Sequence, residues 1–347
     1  MRTLRRIGIE HILVVGSCPG QKHKIDLIFN DEQNSPEVGA TVARKLINQD
    51  HVVAILGPTN TLVCMAAGPI AQSNKVPLIT PTCTNPKVTL IGDYVFRAGF
   101  IDTFQGAAGA YFAYHTLGKR RVGILFDNAN DYAKGLATYF KTAFEKLGGK
   151  VVAFESFTDE TKTVDFRPQL IRIKAANPDM VYSSDYYGAA ALIVQQMQQL
   201  GLKANLMGGD GYDSPDLVKI GGQSVEGVYF TNFYSNEDPS PAVQAFVKAY
   251  QGKYGEAPGA YAAQGYAAAQ ILFDAIKRAG KLDGPSIRDA LAKTKNLTTV
   301  GGVISFDQNR NPTKPAVVIQ IKDGKQTFVT RISPTSLPES IQNLPMQ

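Results

Sequence analysis

The chain has 347 residues, 44% of them hydrophobic, which supplies two ordinary cores, and its 19% charged content argues against a disordered chain. Its net charge of +6 is scattered through helical stretches such as KTAFEKLGGK and mixed with acids, so a nucleic-acid-binding stripe is not indicated. No apolar run reaches the ~18 residues that would carry a helix across a membrane. Cys18, Cys64 and Cys83 show neither CxxC spacing nor neighbouring histidines, so no metal site and no cofactor is expected. That cysteine count fits cytoplasm and periplasm equally. His11, His23, His51 and His115 stand alone and read as surface residues.

Two element types alternate along the chain. KIDLIFNDEQ (24–33), HVVAILG (51–57), KVPLIT (75–80), RRVGILFD (120–127), KVVAFESF (150–157) and PDMVYSSD (178–185) read as strands, most of them short Val/Ile/Leu-rich runs of the buried parallel kind. Between them SPEVGATVARKLINQ, TLVCMAAGPIAQSN, TFQGAAGAYFAYHTLG, DYAKGLATYFKTAFEKLGG and AALIVQQMQQLG have helical periodicity. In the fourth, Tyr132, Leu136, Tyr139, Phe140, Phe144 and Leu147 recur at helical spacing, and Gly148 supplies the stop. Strand then helix, repeated, predicts doubly wound α/β sheets, and the rhythm is too long for one sheet.

In open parallel sheets ligands bind beyond the carboxyl ends of the strands. There the sequence reads PTNT (58–61), PTCT (81–84), NANDY (128–132), YYG (186–188) and DGYDS (210–214). Two of these ends offer hydroxyls and helix-start amides, which suit a carboxylate. The other three offer tyrosines and an acid, which suit an ammonium. Together they describe a pocket for a zwitterion. No Ser/His/Asp arrangement, paired carboxylates or phosphate loop appears, so no enzyme is expected.

The stretches VVAILGPTNT, VPLITPTCTNPKVT, YVFRAGFIDTFQG, RVGILFDNANDYAKGL, LMGGDGYDSPDL, YGEAPGAYAAQGY and ISFDQNRNPTKPAVVIQIKDGK occur in an order that resembles the type I periplasmic binding proteins. Within them the chain is most similar to the leucine/isoleucine/valine-binding branch of amino-acid transport, over about residues 22 to 332. The resemblance implies two lobes joined by three crossings near 119, 232 and 312. Residues 1–119 and 233–311 would form one lobe, and 120–232 and 312–347 the other. It also implies a monomer that captures an amino acid between closing lobes and delivers it to a membrane-embedded ABC permease. The location would be periplasmic, or lipid-anchored outside the cytoplasmic membrane. A ligand-sensing domain of the same fold is the alternative.

Carried over by position, Thr61 falls where the family places a hydroxyl on the ligand carboxylate, and Thr84 where side chain and backbone hold carboxylate and ammonium. Cys83 would contribute backbone, Tyr132 and Tyr186 would cover the ligand, and Asp210 would pair with the ammonium. Asp210 is one methylene shorter than the Glu familiar in that branch. Each has a plainer rival: Thr61, Thr82 and Thr84 could cap helices, the tyrosines could pack, and Asp210 could be a turn residue. Cys64, Arg97 and Asp102 read as structural.

The start of the chain departs from the family pattern, which has a strand, a loop and a helix before the strand at 24–33. IGIEHILVVG (7–16) could be the first strand, but SCPGQKH leaves no room for the first helix. The recorded start could be wrong or truncated, or the lobe minimised. Alternatively MRTLRRIGIEHILVVGSC could be a degenerate lipoprotein signal ending at Cys18, although Glu10 and His11 interrupt its apolar region.

Overall fold

In the computed structural model, which describes residues 16–18, 21–23 and 25–346, strands and helices alternate as the sequence pattern requires. The chain divides into two compact units, Met1–Phe100 with Asp238–Lys314, and Ile101–Glu237 with Pro315–Gln347.

Within the described residues the first unit starts with a short antiparallel pair, β1 (Gly16–Cys18) and β2 (Gln21–His23). The absent first helix, the first-strand reading of 7–16 and the signal reading of 1–18 fall outside the described residues, apart from Gly16–Cys18. The strand expected at 24–33 does not form. Residues 25–30 join no ladder, and Leu27, Ile28 and Phe29 are exposed. An apolar run becomes a strand only where a neighbour satisfies its N–H and C=O groups, and this run meets none among the described residues.

Helix α1 (Pro36–Asn48) has Pro36 at its first position, and Ser35 Oγ accepts from the Val38 N–H. Strands β3 (Ile55–Leu56), β4 (Leu78–Thr80) and β5 (Val95–Arg97) form a parallel sheet in that order. They alternate with α2 (Thr61–Ser73) and α3 (Lys87–Leu90). Side chains of a strand alternate between faces, and here both faces are covered. Leu78 and Val95 pack with Ala43, Ile47, Ala67 and Ala71 of α1 and α2. Ile79 and Phe96 pack with Ile271, Leu272, Ile287 and Leu291 of the helices Ala260–Ala279 and Gly284–Ala292.

The second unit opens with α4 (Asp102–Tyr111), followed by β6 (Arg121–Asp127), α5 (Asp131–Lys146), β7 (Lys150–Phe157), α6 (Arg167–Ala175), β8 (Met180–Ser183), α7 (Tyr187–Gln199), β9 (Asn205–Gly208) and β10 (Tyr229–Asn232). Residues 101–119, assigned to the first lobe from the sequence, therefore belong to the second. The reason is a close helix contact: a Cβ at Gly106 of α4 would sit 2.7 Å from the Phe140 nitrogen of α5. The sheet runs β10-β9-β8-β6-β7 in parallel. On the far side of β10 lies an antiparallel hairpin, Ala316–Lys322 and Lys325–Ile332, so the sheet is not wholly parallel. Its two turn residues, Asp323 and Gly324, both have positive φ, the conformation that a two-residue hairpin with strand-matching twist demands.

The α5 stripe is as expected. Tyr132, Leu136, Tyr139, Phe140 and Phe144 are buried, and Gly148 takes φ 93° just past the helix. Tyr182 of β8 stacks on Phe140 at 3.7 Å between ring centroids, while Val181, its neighbour, points into the opposite cluster with Leu170 and Ile193.

Candidate functional site

In the first unit, the hydroxyls that end β4 are tied one by one to the loop that ends β3. Thr80 Oγ1 donates to the Pro58 carbonyl at 2.6 Å, and Thr82 Oγ1 to the Thr59 carbonyl at 2.7 Å. Capping therefore does not explain Thr82. Thr84 differs from both. Its hydroxyl is buried and has no hydrogen-bond partner among the described residues, although the side chain is only 1% exposed. A buried hydroxyl without a partner is costly, by roughly 1–3 kcal/mol, unless something outside the protein satisfies it. Nor does Thr84 cap α3, whose start at Pro86 carries no side-chain cap; Asn85 Oδ1 takes the Lys87 N–H instead. Thr61 is buried at the first helical position of α2, where Asn60 Oδ1 accepts from the Leu62 N–H. Positive helix-dipole potential and first-turn amides gather there.

The Cys83 N–H donates to Thr80 Oγ1, its carbonyl accepts from Arg97 at 2.7 Å, and its sulfur is bonded to Cys64. These ties brace the loop, and the carbonyl oxygen keeps a second lone pair. Cys64 is buried as expected but is half of a disulfide rather than a plain core residue. Arg97, fully buried, also donates to the Asn85 carbonyl, which makes it the structural residue the sequence implies.

In the second unit, three strand ends converge. Asn130 Oδ1 caps α5 by accepting from the Tyr132 N–H, which fixes Tyr132 in the first turn. The Tyr132 hydroxyl donates to Asp210 Oδ1 at 3.0 Å and accepts from the Gly211 N–H at 3.1 Å. Gln105 Nε2 donates to the same Oδ1 at 2.8 Å. Both side-chain donors thus share one oxygen of Asp210, and Oδ2 receives neither. The fit is close: a Cβ at Gly209 would lie 2.6 to 2.8 Å from Leu136, Tyr132 and Gln105. Burial pushes the Asp210 carboxyl up to about 7, against the two hydrogen bonds that pull it down.

Tyr186 packs its ring on Tyr132 at 5.3 Å, and its N–H donates to Glu160 Oε2. Tyr187 packs against the core instead. Below Tyr186 lies a set of carboxyls that sequence reading missed. Asp127 accepts from the N–H groups of Ala129, Asp159 and Glu160, and Asp185 accepts from the Asp127 N–H and the Ser183 hydroxyl. Burial raises Glu160 to about 7 and Asp185 upward as well. These acids join the ends of β6, β7 and β8 and hold Tyr186 in place. Asp127 and Asp185 are visible in ILFD and YSSD, but nothing in the sequence separates a brace from a ligand contact.

A cavity of about 870 Å3 in the first unit reaches these loops only at Gly57, Pro58, Thr59 and Pro81. The 25–34 segment, α1, β3 and the helix Ala260–Ala279 wall it with Leu27, Phe29, Leu46, Val52, Leu56 and Phe273, and Thr61, Cys83 and Thr84 are not among its lining. Mostly apolar walls do not suit a zwitterion. Among the described residues no group of three potential ligands could hold a metal ion, and no helix is long and apolar enough to cross a membrane.

A profile described as Periplasmic binding protein covers residues 9–326. The chain belongs to the periplasmic binding protein family. The type I branch is shown by its relatives. A leucine-binding protein LivK from Thermotoga maritima shares 38% identity, with 96% of this chain and 94% of that one covered at a TM-score of 0.90. The LivJ substrate-binding protein of Streptococcus pneumoniae, solved with isoleucine, shares 30% identity over 95% and 92% at 0.86. A Leu/Ile/Val-binding protein homologue of Brucella abortus is 30% identical over 93% of this chain and 86% of its own length.

Proposed function

We propose that the chain is an extracytoplasmic solute-binding protein that captures a branched-chain or other aliphatic amino acid and delivers it, as a monomer, to the membrane-embedded permease of an ABC transporter. No bond is made or broken. Thr61 and Thr84 take the carboxylate, Asp210 takes the ammonium, and Tyr132 and Tyr186 cover the ligand. One observation carries the reading: Asp210 is buried, and Gln105 and Tyr132 both donate to its Oδ1, so neither of those side chains takes Oδ2. A buried acid held in this way fits a ligand cation better than it fits a turn residue. The relatives named above support an aliphatic amino acid, and the Cys64–Cys83 disulfide supports an oxidising compartment.

Calorimetric titration with leucine, isoleucine, valine, alanine, phenylalanine, glutamate, an amide and benzoate tests the proposal. One aliphatic amino acid should bind at one site per chain. Heat from benzoate alone, or none from any member in a folded sample, would remove the amino-acid assignment. Thr84→Val should raise the Kd of the bound amino acid by about 10- to 100-fold, the worth of one hydrogen bond to a charged group. The same change should leave the melting temperature unlowered, because the buried hydroxyl has no internal partner to lose. Unaltered affinity in that titration would return Thr84 to a packing role.

A further inference from the structure

Gln105 lies one turn into α4, in the stretch IDTFQG, and is fully buried. A primary carboxamide carries two N–H donors and one oxygen acceptor. Here both donors are committed: Nε2 lies 2.8 Å from Asp210 Oδ1 and 3.0 Å from Thr231 Oγ1 on β10. Oε1 is buried and has no hydrogen-bond partner among the described residues. The orientation of the amide is therefore set by what it faces. Turned over, it would place its oxygen against the carboxylate oxygen of Asp210, which repels, whereas the observed orientation places N–H there.

The surrounding backbone enforces the contact. Gly106, the next residue, lets α4 approach the α5 backbone, and Gly209 leaves room for the Gln105 amide beside the Asp210 loop. An amide brought this close, with its acceptor left unsatisfied, does more for Asp210 than for itself.

We propose that Gln105 is the positioning residue of the ammonium site, clamped between Thr231 and Asp210 so that the Asp210 carboxylate is held in one orientation with Oδ2 presented to the ligand. The proposal rests on the ammonium role given to Asp210 above. Gln105 also favours the ionised carboxylate, since a donor to the charged form opposes the upward push of burial. The other titratable groups that act on Asp210 are Tyr132, which donates to it, Asp213, which pushes it up, and buried Tyr182; Asp102 and Tyr186 act on Tyr132. None of these can replace the Gln105 donor on the α4 side.

The test is the pH profile of amino-acid affinity in the full-length protein, measured by calorimetry between pH 6 and 8.5. Wild-type affinity should strengthen as pH rises through about 7 and then level off, because Asp210 ionises there. In Gln105→Met, which keeps the volume and removes the donors, Asp210 should ionise at higher pH. The Kd ratio to wild type should be about tenfold at pH 6.5 and shrink to within about threefold at pH 8.5. A merely structural lesion would not be rescued by raising the pH, so a constant ratio, or no difference at any pH, overturns the proposal. Thr231→Val releases the other end of the clamp and should shift the profile the same way by less. If Gln105→Met does not fold, an unshifted Thr231→Val profile overturns it equally. Asp210→Asn separates the two layers: if it binds the amino acid as wild type does, the ammonium reading falls and the proposal with it. If it loses binding while the Gln105 and Thr231 profiles stay put, only the positioning role falls.

Discussion

Asp210→Asn should abolish amino-acid binding in calorimetry, raising Kd by at least about 100-fold, while the protein becomes more stable at pH 8. Removing one partner of a buried, hydrogen-bonded charge pair costs about 2–5 kcal/mol, because the other charge is left buried and unpaired. Asparagine also sets an N–H2 group where the ligand brings its ammonium, so donor meets donor. The gain in stability has the opposite origin. The Asp210 carboxyl is raised from 3.8 to about 7 by burial, so between those values the folded protein holds a proton that the unfolded chain has released. Stability therefore falls as pH rises from about 4, and the whole deficit is present above about 7. At 1.36 kcal/mol for each pKa unit the deficit reaches at most about 4 kcal/mol, and asparagine carries none of it. Thermal melting of wild type and variant at pH 4.5 and pH 8 reads this out: the variant should gain several degrees at pH 8 and little at pH 4.5. A gain of equal size at both pH values would mean that the carboxylate is not under the strain described. Affinity within a few-fold of wild type would end the ammonium role.

Glu160 and Asp185 are raised by burial in the same direction, so the second unit stores its acids at a cost to its own stability. Perturbed acids of this kind occur both in binding sites and in structural networks, and the contacts here separate the two. Asp210 is held by the side-chain donors of Gln105 and Tyr132, whereas Asp127, Glu160 and Asp185 tie three loops through backbone N–H groups. The tyrosines sit on that base. Removing an acid of the base should therefore disturb Tyr186 without touching the ammonium directly.

Much of the fold and of the candidate site was legible in the sequence because it is local. The α5 stripe and its Gly148 stop come from spacing alone, and the loops after β3, β4, β6, β8 and β9 are found by reading the residues just beyond each apolar run. What stayed hidden is pairwise and distant. Gln105 stands in the stretch YVFRAGFIDTFQG, yet its partners are Asp210 and Thr231, more than a hundred residues away. Periodicity reports which face of its own element a residue occupies and says nothing about the side chain across from it. KIDLIF failed for a related reason: its apolar residues fit a strand, but a strand needs a neighbour. Cys64 and Cys83 were read singly, one inside a helix and one beyond a strand. Only the packing of α2 against β4 brings their sulfurs together.

The Cys64–Cys83 disulfide should produce the second large effect. It closes a loop between residues 19 apart in sequence, which on the chain-entropy account stabilises the folded state by about 3 kcal/mol. Cys64 lies in the first turns of α2, the helix that Thr61 opens, and Cys83 immediately precedes Thr84. The bridge therefore joins the two segments assigned to the ligand carboxylate. Those segments have other ties, however: Thr80 to Pro58, Thr82 to Thr59, and Arg97 to the Cys83 carbonyl. The bridge should thus matter more for stability than for affinity. In Cys64→Ala/Cys83→Ala the melting temperature should fall by on the order of 5–10 °C. Hydrogen exchange should accelerate in α2 and β4 ahead of the second unit, and the Kd for the amino acid should rise only a few-fold. Both sulfurs are buried, so reductant should act on the wild-type protein slowly and reproduce the variant only after local opening. The reverse pattern, a large loss of affinity with an unchanged melting temperature, would mean that the hydrogen bonds do not hold the loop by themselves and that the covalent bond positions Thr84 directly.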